Sequence, residues 1–142
     1  MIPGVPSTKN YQAEDFDNIC KLFDYSKAII LSPYILPETS NTLPLDYKSK
    51  DTSSKQCSPF LEKALLLLKM DNIKEEYEPF KKVIENNIFY KFGITDTAII
   101  DLATKSGYAV LSNDGPLVGF LQNTNCQVKN LNHLRAQRLL AS

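Results

Sequence analysis

The run Phe92-Gly93-Ile94-Thr95-Asp96-Thr97-Ala98-Ile99-Ile100-Asp101-Leu102-Ala103, followed by Tyr108-Ala109-Val110-Leu111-Ser112-Asn113-Asp114-Gly115-Pro116-Leu117, constrains this chain more than any other stretch. A loop glycine, a Thr/Asp helix start, an apolar helix, a short β run and a second acidic strand-to-helix corner follow one another within about 25 residues, as in an αβα unit. In open α/β sheets, ligands bind at the carboxyl ends of strands, where helices begin. The order places Asp114 at such an end directly, and Asp96 at the start of a helix packed beside it.

With 142 residues, 43% of them apolar, the chain can bury a core of its own and has room for one domain. Sixteen Lys and Arg cancel sixteen Asp and Glu, so no global field draws the chain to nucleic acid or to an anionic membrane. Any nucleic-acid contact must therefore be local. Cys20, Cys57 and Cys126 are odd in number, widely spaced and without a CxxC pair, which argues against a disulfide framework and a zinc site and for reduced thiols in a cytoplasmic protein. No apolar run reaches the roughly 18 residues of a membrane span, and the first residues lack a signal peptide's charged and apolar regions.

Along the chain, residues 1–12 read as an irregular lead-in and Ala13–Asp24 as an amphipathic helix with Glu14 and Asp15 in its first turn. Lys27–Leu31 is β-like. Ser32-Pro33 then starts a helix to about Leu43, which Pro37 is expected to kink or restart. Residues 44–57 are polar and charged and predict a mobile loop, a candidate lid beside Glu38. Phe60–Met70, apolar nearly all round, predicts a helix buried on most sides. A short strand over Ile73–Tyr77 and a helix over Tyr77–Tyr90 follow, with Phe80, Val83, Ile84 and Ile88 on one helical face. The focal helix Thr95–Lys105 ends near Gly107, ahead of the strand Tyr108–Leu111. A helix from Pro116 to about Gln122, a strand over Cys126–Lys129 and a closing helix over Leu131–Leu140 complete the reading.

Four acidic positions are candidates for chemistry: Glu38, Asp96, Asp101 and Asp114. Phosphodiester hydrolysis calls for a hard divalent cation, and carboxylate oxygens are the ligands Mg²⁺ and Mn²⁺ accept. Converging carboxylates repel one another, so a cluster of them favours a bound cation. At 100° per residue Asp101 lies about 140° around the helix from Asp96, which makes it an outer-shell or solvated residue. Each acid also has a plain structural reading: Asp96 as a helix cap, Asp114 as a turn former, Glu38 as a surface helix residue. Spacing alone does not settle the choice. His133 stands without a partner at ligand spacing, and Lys129, Arg135 and Arg138 give a local positive charge that reads first as a solvated helix face. The chain has no GxGxxG, P-loop or GxSxG motif, which weighs against dinucleotide, NTP and serine-hydrolase chemistry.

Leu31-Ser32-Pro33-Tyr34-Ile35-Leu36-Pro37-Glu38-Thr39-Ser40-Asn41, Phe92-Gly93-Ile94-Thr95-Asp96-Thr97-Ala98 and Val110-Leu111-Ser112-Asn113-Asp114-Gly115-Pro116-Leu117 together resemble the PIN-domain family of ribonucleases. They are similar to the segments bearing that family's second, third and fourth acidic residues, and the likeness spans about Tyr11 to Leu131. The resemblance implies an α/β fold, a three-layer sandwich whose mostly parallel sheet is flanked by helices. It also implies a Mg²⁺- or Mn²⁺-dependent endonuclease acting on single-stranded RNA, such as a toxin whose antitoxin protein occupies the acidic cleft. Glu38, Asp96 and Asp114 would be the catalytic metal ligands, with Ser112 in the shell around them; Asp101 is a candidate for that shell on helix geometry alone.

This chain departs from the family's pattern in two ways. Pro37 stands where a helix former or threonine is more usual, which affects the aim of Glu38. Family members also begin with a central strand carrying a first acidic residue, and Met1–Asn10 holds no acid and no apolar run. The expectation is that Met1 is an internal methionine of a longer chain, or that the gene is truncated; an in-frame stop codon just upstream would exclude the former. Loss of a central strand strips its neighbours of ladder partners. That predicts lower stability, strand pairing with a second copy as a homodimer, and a weakened or inactive nuclease. Two other readings predict different observations: a catalytically inactive interaction module of the same fold, and a small-molecule binder with a mostly apolar pocket at the strand ends.

Overall fold

The computed structural model describes residues 13–42 and 65–133, with helical backbone also at residues 136 and 140. The expected lead-in 1–12, the loop 44–57 and Cys57 lie outside the described residues. Within them the chain is mixed α/β, and its contacts form two compact units. One comprises the chain up to Leu31 together with Ile35–Glu75, the other Ser32–Tyr34 together with the chain from Glu76 onward.

The first unit contains α1 (Ala13–Tyr25), β1 (Ile29–Leu31), α2 (Ile35–Thr42), a helical stretch at residues 65–68 and β2 (Ile73–Glu75). Ile19, Cys20, Leu22 and Phe23 of α1 are partly buried while Asp17, Asn18, Lys21 and Asp24 face water, the division that apolar spacing of three and four imposes on a helix. The Ser26 hydroxyl closes α1 by donating to the Leu22 carbonyl at 2.7 Å. Asn72 Nδ2 donates to the Phe23 carbonyl at 3.4 Å and ties the residue before β2 to α1. β1 and β2 pair in parallel, Ile29 opposite Ile73 and Leu31 opposite Glu75.

The second unit contains α3 (Phe80–Glu85), α4 (Phe89–Ser106), β3 (Val110–Ser112), α5 (Gly115–Gln122) and β4 (Val128–Asn130). β3 and β4 also run parallel, Val110 opposite Val128, and α5 is the crossover that a parallel pair requires. Ile100, Ala103, Val110, Leu117 and Leu121 form its core, with Phe92, Phe120 and Val128 packed against them. Ala98 and Leu102 are buried as well, on another side of α4, and Val83 of α3 is fully buried. A helix covered on two sides reads as apolar over most of its surface, as Ile94–Ala103 does.

Three expected helices differ in the structure. α2 begins at Ile35 rather than Pro33, which makes Pro37 its third residue. First-turn N–H groups have no intrahelical acceptor, so the proline ring removes no ladder bond and no kink follows. Ser32, expected as the cap, is instead buried at 2% exposure. The helix expected over Tyr77–Tyr90 is interrupted at Asn86, whose backbone is extended (φ −69°, ψ 131°) and whose side-chain oxygen accepts the Ile88 N–H at 3.1 Å. That local Asn bond competes with the helical ladder. Leu65, Leu66, Leu67 and Leu68, expected to be buried, are 38–67% exposed. Four consecutive leucines spread over about 300° of a helix, more than one neighbouring surface can cover.

Candidate functional site

The two acidic corners of the second unit are built by different local devices. Gly93 interrupts α4 with φ 74° and ψ −175°, a conformation open to glycine and strained for other residues. The helix restarts behind it, so Asp96 lies in a first turn, where the dipole favours a carboxylate. Asp96 is half-buried between Thr95 and Thr97, both buried. The Thr95 hydroxyl reaches the Tyr34 carbonyl at 3.5 Å.

Asp114 is the N-cap of α5, its backbone extended at φ −74°, ψ 111°. Its Oδ1 accepts the Leu117 N–H at 2.8 Å, and Pro116 follows inside the first turn. Ser112, at the end of β3, accepts the Asp114 N–H on its Oγ at 3.0 Å and so braces the corner through the backbone. The Phe92 and Phe120 rings meet edge-on at 5.1 Å, which ties the start of α4 to α5. Asp96 and Asp114 thus stand on contacting elements of one unit, each at a helix start.

Glu38 is exposed, in the first turn of α2, and belongs to the other unit. Asp101 occupies another side of α4, where its Oδ1 accepts from Asn86 Nδ2 at 2.7 Å. Burial pushes its carboxyl above the ordinary value, an effect the Asn86 hydrogen bond and Lys82 oppose and Glu78 reinforces. Asp101 is thus partly buried and hydrogen-bonded while still lining open space. His133 and Lys129 are exposed; the side chains of Arg135 and Arg138 lie outside the described residues.

Sequence reasoning missed Glu78. It is 4% exposed and pairs with Lys82 through Oε1 at 3.5 Å and with Lys105 through Oε2 at 3.4 Å, while the Tyr34 hydroxyl donates to its carbonyl at 3.0 Å. The four-residue step from Glu78 to Lys82 was a legible signal; Lys105, on a distant helix, was not. A buried carboxylate needs such partners, whereas both lysine side chains are 65% exposed and solvated in any case. These residues, with Glu85, Asn86 and Asp101, line an open depression of about 410 Å³. Its lining is polar and charged, and none of it comes from a strand.

The donor chemistry of Asp96 and Asp114 suits a hard cation. Among the described residues, however, no group of three or more His, Cys, Asp or Glu side chains is placed to hold a metal ion. The described carboxylates do not by themselves make a complete divalent-cation site. Among the described residues, too, no helix is long and apolar enough to cross a membrane. No family model, curated protein or solved structure matches the chain.

Proposed function

We propose that this chain is a PIN-like α/β protein of the metal-dependent endoribonuclease class, acting on single-stranded RNA. The observation that carries the reading is the pair of acidic helix starts, Asp96 behind the Gly93 break and Asp114 at the end of β3, on contacting elements of one unit. Strand ends where helices begin are where α/β folds gather ligands. Glu38 is a further ligand only as the resemblance implies it; the reading itself rests on Asp96 and Asp114. Mg²⁺ or Mn²⁺, when bound, would supply Lewis acidity and a hydroxide near neutral pH. The three-layer sandwich with a single mostly parallel sheet, a cytoplasmic location, and an antitoxin-like partner covering the acidic corners belong to the same proposal.

The test is cleavage of a labelled single-stranded RNA by the full chain. Cleavage with Mg²⁺ or Mn²⁺, abolished by EDTA and by Asp96→Asn, is the expected result. Removal of a metal-bound carboxylate should lower the rate by at least about 100-fold. Metal-independent cleavage, or equal rates for wild type and Asp96→Asn, would overturn the proposal.

A second reading, an inactive interaction module of the same fold, is favoured by two observations: Asp114 already has a structural task as a cap, and no three-donor group occurs among the described residues. It predicts no cleavage under any metal condition.

A further inference from the structure

Tyr90 is 92% exposed although it lies within α4. Its ring meets that of half-buried Phe89 edge-on at 5.7 Å. The next residue, Lys91, holds its Nζ 5.1 Å from the centroid of the Phe92 ring. Ile88 and Phe92 pack onto the core of the second unit, so the backbone that carries Tyr90 is anchored before and after it. Gly93 follows, exposed, with no atom within 4 Å of where a Cβ would stand, and Asp96 lies in the next turn. Lys91 is the one charged residue between Glu85 and Asp96 in the sequence, so the cation nearest Tyr90 along the chain is its immediate neighbour.

We propose that Tyr90 is a stacking platform for one nucleobase of single-stranded RNA, with Lys91 against the adjoining phosphate. The inference rests on the nuclease reading and deepens it by naming residues that grip the substrate beside the Asp96 corner. A single exposed tyrosine is ordinary on a protein surface; here it is joined by an anchored backbone, an adjacent cation and open space beside an acidic corner. Base stacking needs one aromatic face and tolerates any base. A protein interface needs roughly 800 Å² per partner, and the exposed residues beside Tyr90 in the sequence, Asn87, Lys91 and Gly93, are small or polar. Ile94, at 37% exposure, adds little apolar area.

The experiment is fluorescence anisotropy of a labelled oligouridine with the full chain in EDTA, which separates binding from cleavage. Tyr90→Ala should weaken binding roughly 5- to 100-fold, while Tyr90→Phe, which keeps the aromatic face, stays within about twofold of wild type. Lys91→Ala should reduce the salt dependence of binding by about 0.7 in the log–log slope. The Tm of Tyr90→Ala should match wild type, since the ring is almost wholly in water. Wild-type affinity in Tyr90→Ala, or no binding by wild type, overturns the platform. So does a change in self-association with RNA affinity untouched, which would make Tyr90 a protein contact. Tyr90-dependent binding without metal-dependent cleavage sinks the nuclease reading and leaves the platform standing; metal-dependent cleavage with Tyr90-independent binding does the reverse.

Discussion

One carboxylate oxygen of Asp114 accepts the Leu117 N–H, so substitutions there separate capping from charge. Asparagine caps about as well as aspartate, whereas alanine at an N-cap costs about 1 kcal/mol. Urea unfolding should therefore show Asp114→Asn close to wild type and Asp114→Ala destabilised by about 1 kcal/mol. A large loss in Asp114→Asn would mean that the charge itself supports the fold. Asp101 titrates in the opposite sense to a salt-bridged acid. Burial raises its folded value above the ordinary 3.8, so the folded state binds more protons than the unfolded one in the window that opens at 3.8. Stability contributed there is present at lower pH and lost as pH rises through the folded value. Asp101→Asn, whose amide oxygen can still accept from Asn86, removes this effect. Unfolding measured between about pH 3 and 6 should show the variant gaining on wild type as pH rises; a constant difference would contradict the assignment.

At the scale of elements, the two glycines that bound the focal helix differ in kind. Gly93 (φ 74°, ψ −175°) occupies a region nearly closed to side chains, whereas Gly107 (φ 70°, ψ 26°) is a left-handed C-cap that asparagine tolerates. Neither would meet a neighbour with its Cβ, so the effect of substitution is a backbone effect. Gly93→Ala should cost about 1–3 kcal/mol, with Gly107→Asn costing less than Gly107→Ala. Equal stability of Gly93→Ala and wild type would deny the break that sets Asp96 in a first turn. Both glycines were legible from sequence because loop and cap chemistry is local. So was Asp114 before Gly115-Pro116 as a helix start. The break at Asn86 was not, since an apolar period runs through it and the competing bond comes from one side chain. Pro37 misled for a related reason: its effect depends on where α2 starts, and helix starts are fixed to within a residue or two only by the surrounding fold. The Asn86–Asp101 and Glu78–Lys105 pairs join residues far apart in sequence, beyond any reading of periodicity.

For the whole molecule, α/β character was legible because β runs and amphipathic helices alternate along the chain. Its realisation as two separate parallel pairs, β1–β2 and β3–β4, was not, since pairing is a long-range property. Three-residue strands provide little ladder, and among the described residues the buried apolar side chains come mostly from α3, α4 and α5. The central proposal is that Asp96 and Asp114 share a hard cation, and a metal-binding measurement tests it without any RNA substrate. Mn²⁺ titration followed by electron paramagnetic resonance should give one saturable site in wild type and in Glu85→Gln, lost in both Asp96→Asn and Asp114→Asn. Absence of a saturable site in wild type, or its persistence in those two folded variants, would contradict the account.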